Sequence, residues 1–100
     1  MKRLLINETE MNYLKDFIAE PSTENILGFR EMLVRNFHYL SDNTIAVLSF
    51  DDQGVVWSAT GDRHSIPYGA VGLRRKAAKR KISLHVRIGD SLISTRSVIL

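Results

Sequence analysis

The stretch Lys81-Ile82-Ser83-Leu84-His85-Val86-Arg87-Ile88 alternates polar and apolar side chains at every position. Successive side chains of a β-strand point to opposite faces of a sheet, so this alternation predicts a strand with one buried and one solvated face. Its apolar residues are expected to meet the core, and its polar residues to face solvent. No other segment of the chain carries a cleaner strand pattern.

Gly89-Asp90 follows this strand and has the chemistry of a two-residue type II′ turn. Such a turn would bring Leu92 to Leu100 back as the antiparallel partner strand. In that register Arg87 pairs with Leu92, and Ser83 pairs with Arg96. The solvated face of the hairpin would then carry a set of basic side chains, namely Lys81, His85, Arg87 and Arg96.

The segment directly before the strand, Gly69 to Lys81, is rich in alanine, arginine, lysine and leucine, which all favour helices. Drawn as a helix, it has a cationic arc and an apolar arc. The cationic arc holds Arg75, Lys76, Lys79 and Arg80, whereas Arg74 and Lys81 fall toward the apolar side. Like charges one turn apart repel each other, and a phosphate backbone would relieve that repulsion. The segment therefore predicts a basic amphipathic helix.

The N-terminal half predicts two helices. Asn7 and Glu10 form a capping-box pattern at the start of the first, and Pro21 ends it. Ser22 caps the second, which runs from about Thr23 to Leu40. Its apolar stripe consists of Ile26, Phe29, Leu33, Phe37 and Leu40. We expect this stripe to pack on the apolar face of the 81–88 strand, that is, on Ile82, Leu84, Val86 and Ile88.

The remaining segments predict strands. Residues 2–6 can form a short strand, and residues 44–50 and 55–57 can form a hairpin around Asp51-Asp52-Gln53-Gly54. The predicted fold is a small single α+β domain with two N-terminal helices, two β-hairpins and a basic amphipathic helix. The element order is (β)ααββαββ, with the helices segregated to one face of the sheet.

Composition excludes several classes of protein. The chain has 100 residues, of which 44% are hydrophobic and 25% charged, as expected for one globular domain. It has no cysteine, which excludes disulfides, thiolate metal sites and a cysteine nucleophile. No apolar run approaches the roughly 18 residues of a membrane span, and Asn7 interrupts the N-terminal run too early for a signal peptide. We expect a cytoplasmic protein that does not interact with membranes.

Charge is distributed unequally along the chain. Residues 1–53 hold five basic and nine acidic side chains, a net charge of −4. Residues 54–100 hold nine basic side chains and only Asp62 and Asp90 as acids, a net charge of +7. Such asymmetry indicates a polyanionic partner.

Nucleic acid is the polyanion that this pattern favours. Tyr68 or Trp57 could stack on an unpaired base, although a lone tryptophan is more often part of a core. The predicted nucleic-acid-binding residues are Arg63, His64, Arg74, Arg75, Lys76, Lys79, Arg80, Lys81, His85, Arg87 and Arg96. The alternatives are a solvated basic face and a surface for an acidic protein.

No catalytic constellation is present. His38, His64 and His85 lack the spacing of metal ligands, the serines occur in no nucleophile-elbow context, and there is no glycine-rich phosphate loop. The sequence therefore predicts no enzyme activity, no metal and no cofactor. Met32 and Tyr39 lie off the apolar stripe of the second helix. They are either partly covered surface residues or, by our hypothesis, contacts for a second copy or another protein.

Two functional hypotheses follow. The first is a small, non-enzymatic nucleic-acid-binding protein with a regulatory or accessory role. The second is a protein–protein inhibitor or adaptor whose basic surface binds an acidic patch on a larger partner complex. Both are electrostatic, so competition with nucleic acid separates them better than salt dependence.

Overall fold

Helices and strands form two layers in the computed structural model, which describes residues 2–37, 40 and 43–100. The helices are α1 (Glu8–Ala19), α2 (Thr23–Gly28) and α3 (Arg30–Phe37). The strands are β1 (Lys2–Arg3), β2 (Ile45–Asp51), β3 (Gly54–Thr60), β4 (Val71–Lys76), β5 (Lys81–Arg87) and β6 (Ile93–Ile99). They form one antiparallel sheet in the order β1-β3-β2-β4-β5-β6. The predicted α+β class is confirmed.

The predicted capping box begins α1. The Glu10 backbone N–H donates to Asn7 Oδ1 over 2.8 Å, and the Asn7 N–H donates to Glu10 Oε1 over 3.1 Å. Arg35 of α3 donates to the same Glu10 oxygen and to the carbonyl oxygen of Leu5. The cap therefore also ties α3 to the segment that joins β1 to α1.

The second predicted helix is broken in two. α2 ends at Gly28, and Phe29 leaves the helical conformation with φ −124° and ψ 19°. A Cβ atom on Gly28 would lie 2.2 Å from Tyr13 Cγ, so glycine is required where the Tyr13 ring of α1 approaches. Phe29 is fully buried at this break, and its ring meets Phe17 edge to face at 5.7 Å.

The predicted basic helix is wrong, because its segment forms β4 and the turn into β5. Val71 and Leu73 are fully buried and alternate with Gly72 and Arg74, which is the period of a strand. A helix would have placed Arg74 on the apolar side, whereas the strand places Arg74 on the face opposite Val71 and Leu73, and Arg75 on the same side as those residues. Pairing with two neighbouring strands therefore overrides the helix propensity of Ala, Arg and Lys.

The β5–β6 hairpin forms, but its predicted register is wrong by one residue. Arg87 pairs with Ile93 instead of Leu92, and residues 88–92 form the loop. The Ile88 N–H donates to the Leu92 carbonyl, and the Arg87 guanidinium donates to the Asp90 carbonyl within that loop. A shift of one residue exchanges the two faces of a strand, so Arg96 lies opposite Leu84 and away from the face of His85.

The hydrophobic core lies between the helices and the sheet. Ile26, Leu33, Phe37 and Leu40 cluster with Ile82, Leu84 and Val86, as predicted. Ile88 is an exception, because it is 58% exposed in the hairpin loop. Met32 is also contrary to expectation: it is fully buried in the core and is not available to a partner. Tyr39, the other predicted interface residue, lies outside the described residues.

We expect Phe37→Ala to reduce the free energy of unfolding by about 3–5 kcal/mol. Phe37 is 1% exposed and packs edge to face on Trp57, with ring centroids 6.3 Å apart. Val34→Ala on the same helix is the control; it should change stability by less than about 1 kcal/mol, because Val34 is 44% exposed. Urea denaturation of both variants measures the difference, and similar losses would contradict this packing.

Candidate anion-binding site

The sheet face turned away from the helices, here called the open face, carries cations and hydroxyl groups on β4, β5 and β6. Directly paired residues of antiparallel strands share a face. Lys76 therefore lies beside Lys81, and Arg74 lies beside Ser83. Like charges placed directly opposite each other destabilise a sheet. The Lys76–Lys81 pair is thus a place where a bound anion would relieve repulsion.

Hydroxyl groups extend this arrangement toward the edge of the sheet. Ser83 pairs with Ser97, and their hydroxyl oxygens lie 3.4 Å apart. His85 pairs with Thr95, and its Nδ1 lies 2.9 Å from Thr95 Oγ1. Sequence reasoning missed Thr95 and Ser97, because the one-residue error in register placed them on the core side. The strict alternation of polar and apolar residues in β5 was the signal that could place Ser83 on the same face as Lys81 and His85.

The loop of residues 61–70 covers the middle of the open face. Ile66 and Ala70 pack on Ile45 and Val47 of β2 in a second, smaller hydrophobic cluster. Gly72 lies beneath, where an added Cβ would lie 2.4 Å from Ile66 Cδ1. The loop can therefore lie against the sheet only because this position of β4 carries no side chain.

Arg87 ties this loop to the sheet. Its Nε donates to the Ile66 carbonyl over 2.6 Å, and its terminal nitrogens donate to the carbonyls of His64 and Asp90. Its guanidinium carbon lies 5.9 Å from the centre of the Tyr68 ring, whose hydroxyl donates to Asp90 over 2.7 Å. Arg87 was predicted to bind nucleic acid, and the structure gives it contacts that hold the loop.

Arg74 and His85 present buried nitrogens that no group in the structure satisfies. Arg74 Nε and His85 Nε2 are both inaccessible to solvent and have no hydrogen-bond partner. Burial lowers the pKa of His85 below its ordinary value of 6.5, and the positive charges of Arg74 and Arg63 lower it further. Unsatisfied buried polar groups are rare in native proteins and often mark a bound water or ion.

Compared with known proteins, this chain matches no protein-family model, no curated protein and no solved structure.

The structure divides the predicted binding residues between two sides of the sheet. Arg74, Lys76, Lys81, His85 and Arg87 share the open face, and Arg63 and His64 lie in the loop beside it. Arg75 and Arg96 pair with Ile82 and Leu84, which places both on the helical side. Lys79 and Arg80 belong to the turn between β4 and β5. The single basic stripe expected from the sequence is therefore divided. One group of cations lies on the open face and in the loop beside it, and the other lies on the helical side and in the β4–β5 turn.

Acidic side chains near the open face are engaged elsewhere. Asp62 accepts from the His64 N–H, Asp90 accepts from Tyr68, and Asp51 pairs with Arg3 at 2.8 Å. Among the described residues, no acidic side chain forms an ion pair with Arg63, Arg74, Lys76 or Lys81. These cations are thus available to an external anion.

The described part of the chain contains no group of three histidine or carboxylate side chains placed to hold a metal ion. None of its helices is both long and apolar enough to cross a bilayer.

We expect Arg87→Lys to reduce the free energy of unfolding by about 1.5–3 kcal/mol, because one ammonium group cannot serve three carbonyls placed around a planar guanidinium. Arg96→Lys is the matched control, since the hydrogen bonds that the Arg96 side chain forms with described residues go to Ser94 and Thr95 of its own strand. It should change stability by no more than about 0.5 kcal/mol. Equal denaturation midpoints for both variants would show that Arg87 does not hold the loop.

We also expect the protein to lose stability through His85 as the pH falls through the ordinary histidine pKa of 6.5. The folded state lowers the pKa of His85, so the unfolded chain takes up this proton first as the pH falls. Stability from this group is therefore complete above pH 6.5 and is lost below it. His85→Gln should flatten this part of the pH profile, which denaturation at several pH values measures. An unchanged profile would contradict the burial of a neutral His85.

Proposed function

We propose that this protein is a small, non-enzymatic nucleic-acid-binding protein that engages phosphates on the open face of its sheet. The observation that carries the proposal is the set of cations around the Lys76–Lys81 pair, which no described acid neutralises. A regulatory or accessory role is consistent with a single small domain that combines a binding face with no catalytic constellation.

The chemistry of the face favours nucleic acid over an acidic protein. Phosphate oxygens are usually bound by Arg and Lys together with Ser and Thr hydroxyls, and this combination surrounds Arg74 and Ser83. Nucleic-acid interfaces are more polar and more positive than protein interfaces, whose centres are apolar and rich in aromatic residues. The row of Arg74, Ser83 and Ser97 contains no apolar side chain. The neighbouring row of Lys76 and Lys81 has the exposed Ile99 at its end.

Tyr68 favours a single strand over a duplex. Its ring is 58% exposed, and its orientation is set by the hydroxyl contact with Asp90 and by Arg87 beneath it. A fixed, accessible aromatic ring beside cations is the arrangement on which unpaired bases stack, at about 1–3 kcal/mol per base. A base on Tyr68 would place its backbone along the open face, toward Arg63 and Arg74.

We expect labelled single-stranded DNA or RNA to bind with a strong salt dependence. Four cations, Arg63, Arg74, Lys76 and Lys81, would give a slope of log affinity against log salt of about −2.8, at about −0.7 per contact. Arg74→Gln should reduce the slope by about 0.7 and weaken all sequences alike, because phosphate contacts carry no sequence information. Fluorescence anisotropy at several salt concentrations measures both effects.

The matched control for this experiment is Arg75→Gln, since Arg75 is adjacent in sequence and lies on the opposite face of the sheet. It should bind nucleic acid nearly as well as the parent protein. If both variants weaken binding equally, the open face is not the binding surface. If the parent protein binds neither DNA nor RNA at low salt, the proposal is wrong, and the hypothesis of an acidic protein partner takes its place.

A further inference from the structure

A second site lies on the helical side of the sheet, independent of the open face. A pocket of about 220 Å³ opens between α3, the end of β4, the β4–β5 turn and the residue after β6. The described residues that line it are Val34, Arg75, Arg80 and Leu100. It therefore combines two aliphatic walls with two guanidinium groups.

Arg75 supplies a buried donor without a partner. It pairs with the fully buried Ile82, so its side chain starts on the core side of the sheet. Its Nε is inaccessible to solvent and forms no hydrogen bond. An unsatisfied buried donor is costly. Because Nε itself is inaccessible, a ligand in the pocket would be bound by the terminal nitrogens of the Arg75 guanidinium and would not reach Nε.

Arg80 is held in an unusual backbone conformation at the mouth of the pocket. Its φ is 50°, in the left-handed region that non-glycine residues rarely adopt, and its carbonyl accepts from the Leu100 N–H over 2.7 Å. Such strain persists only where the surrounding structure imposes it, and it clusters at ligand sites. The turn thus holds a second guanidinium beside Arg75.

No acidic side chain among the described residues forms an ion pair with the arginines of the pocket. The two ion pairs of the described residues are Arg3–Asp51 and Arg35–Glu10. Glu31, one turn before Val34 on α3, forms no ion pair with Arg75 or Arg80. An anionic ligand would therefore replace no internal partner.

We propose that this pocket binds a small carboxylate with a short aliphatic chain. Its carboxylate would accept hydrogen bonds from Arg75 and Arg80, since the planar guanidinium fork matches a carboxylate. Its chain would lie against Val34 and Leu100. A volume of 220 Å³ is below that of sites for drug-sized ligands, which limits the ligand to a short chain. The apolar walls distinguish this site from the hydroxyl-rich open face.

Titration of the 15N-labelled protein with hexanoate tests the proposal. Hexanoate should shift the amide signals of Val34, Arg75, Arg80 and Leu100 in a saturable manner, with a Kd of about 1 mM. Acetate lacks the chain and hexanamide lacks the charge, so each should bind about tenfold more weakly or worse. The absence of saturable shifts at about 10 mM hexanoate, or shifts confined to other residues, would overturn the proposal.

Substitutions separate this site from a general effect of positive charge. Arg75→Gln should weaken hexanoate binding about tenfold, whereas Arg74→Gln on the open face should not change it. Arg80→Gly keeps the turn, because glycine adopts a positive φ without strain, and should also weaken binding. It serves as the second variant if Arg75→Gln does not fold. Parent-like affinity in the folded arginine variants of the pocket, or equal losses in Arg74→Gln and Arg75→Gln, would refute the site.

The same variants keep this proposal distinct from nucleic-acid binding. Oligonucleotide binding should respond to Arg74→Gln and not to Arg75→Gln, and hexanoate binding should show the reverse dependence. Loss of one activity with retention of the other therefore identifies which site has been wrongly assigned.

Discussion

The antiparallel pairing of β4 with β5 determines which cations can act together. Val71 opposite Val86 and Leu73 opposite Leu84 are buried pairs, and they permit one register only. Because side chains alternate along a strand, the consecutive residues Arg74 and Arg75 point to opposite sides of the sheet. A slip of one residue would bury the charges and expose the core, so apolar burial determines on which side of the sheet each cation lies.

Arginines in this protein differ by what their donors already bind. Arg87 gives its guanidinium to backbone carbonyls and thereby holds the loop of residues 61–70 on the sheet. Arg35 and Arg3 are paired with carboxylates. Arg74 and Arg75 each keep a buried Nε without a partner. Positive charge alone thus does not identify a candidate binding residue, because several of these guanidinium groups are already occupied by backbone carbonyls or carboxylates.

The two proposed sites differ in the chemistry that surrounds their cations. On the open face, hydroxyl groups and the exposed Tyr68 ring favour a phosphate backbone with unpaired bases. In the pocket beneath α3, Val34 and Leu100 favour an aliphatic chain. The sheet separates the two proposed sites.

Local patterns in the sequence determine the capped helix α1, the strand β5 and the basic charge of the C-terminal half, because capping, alternation and composition act over short distances. The sequence of β4 alone did not predict a strand, because its helix-forming residues adopt a strand only through pairing with β2 on one side and β5 on the other. The register of β6 depends on a loop that Arg87 organises from a neighbouring strand. Tertiary structure alone therefore decided which cations share a face, because the side of a strand on which a residue lies depends on partners distant in sequence.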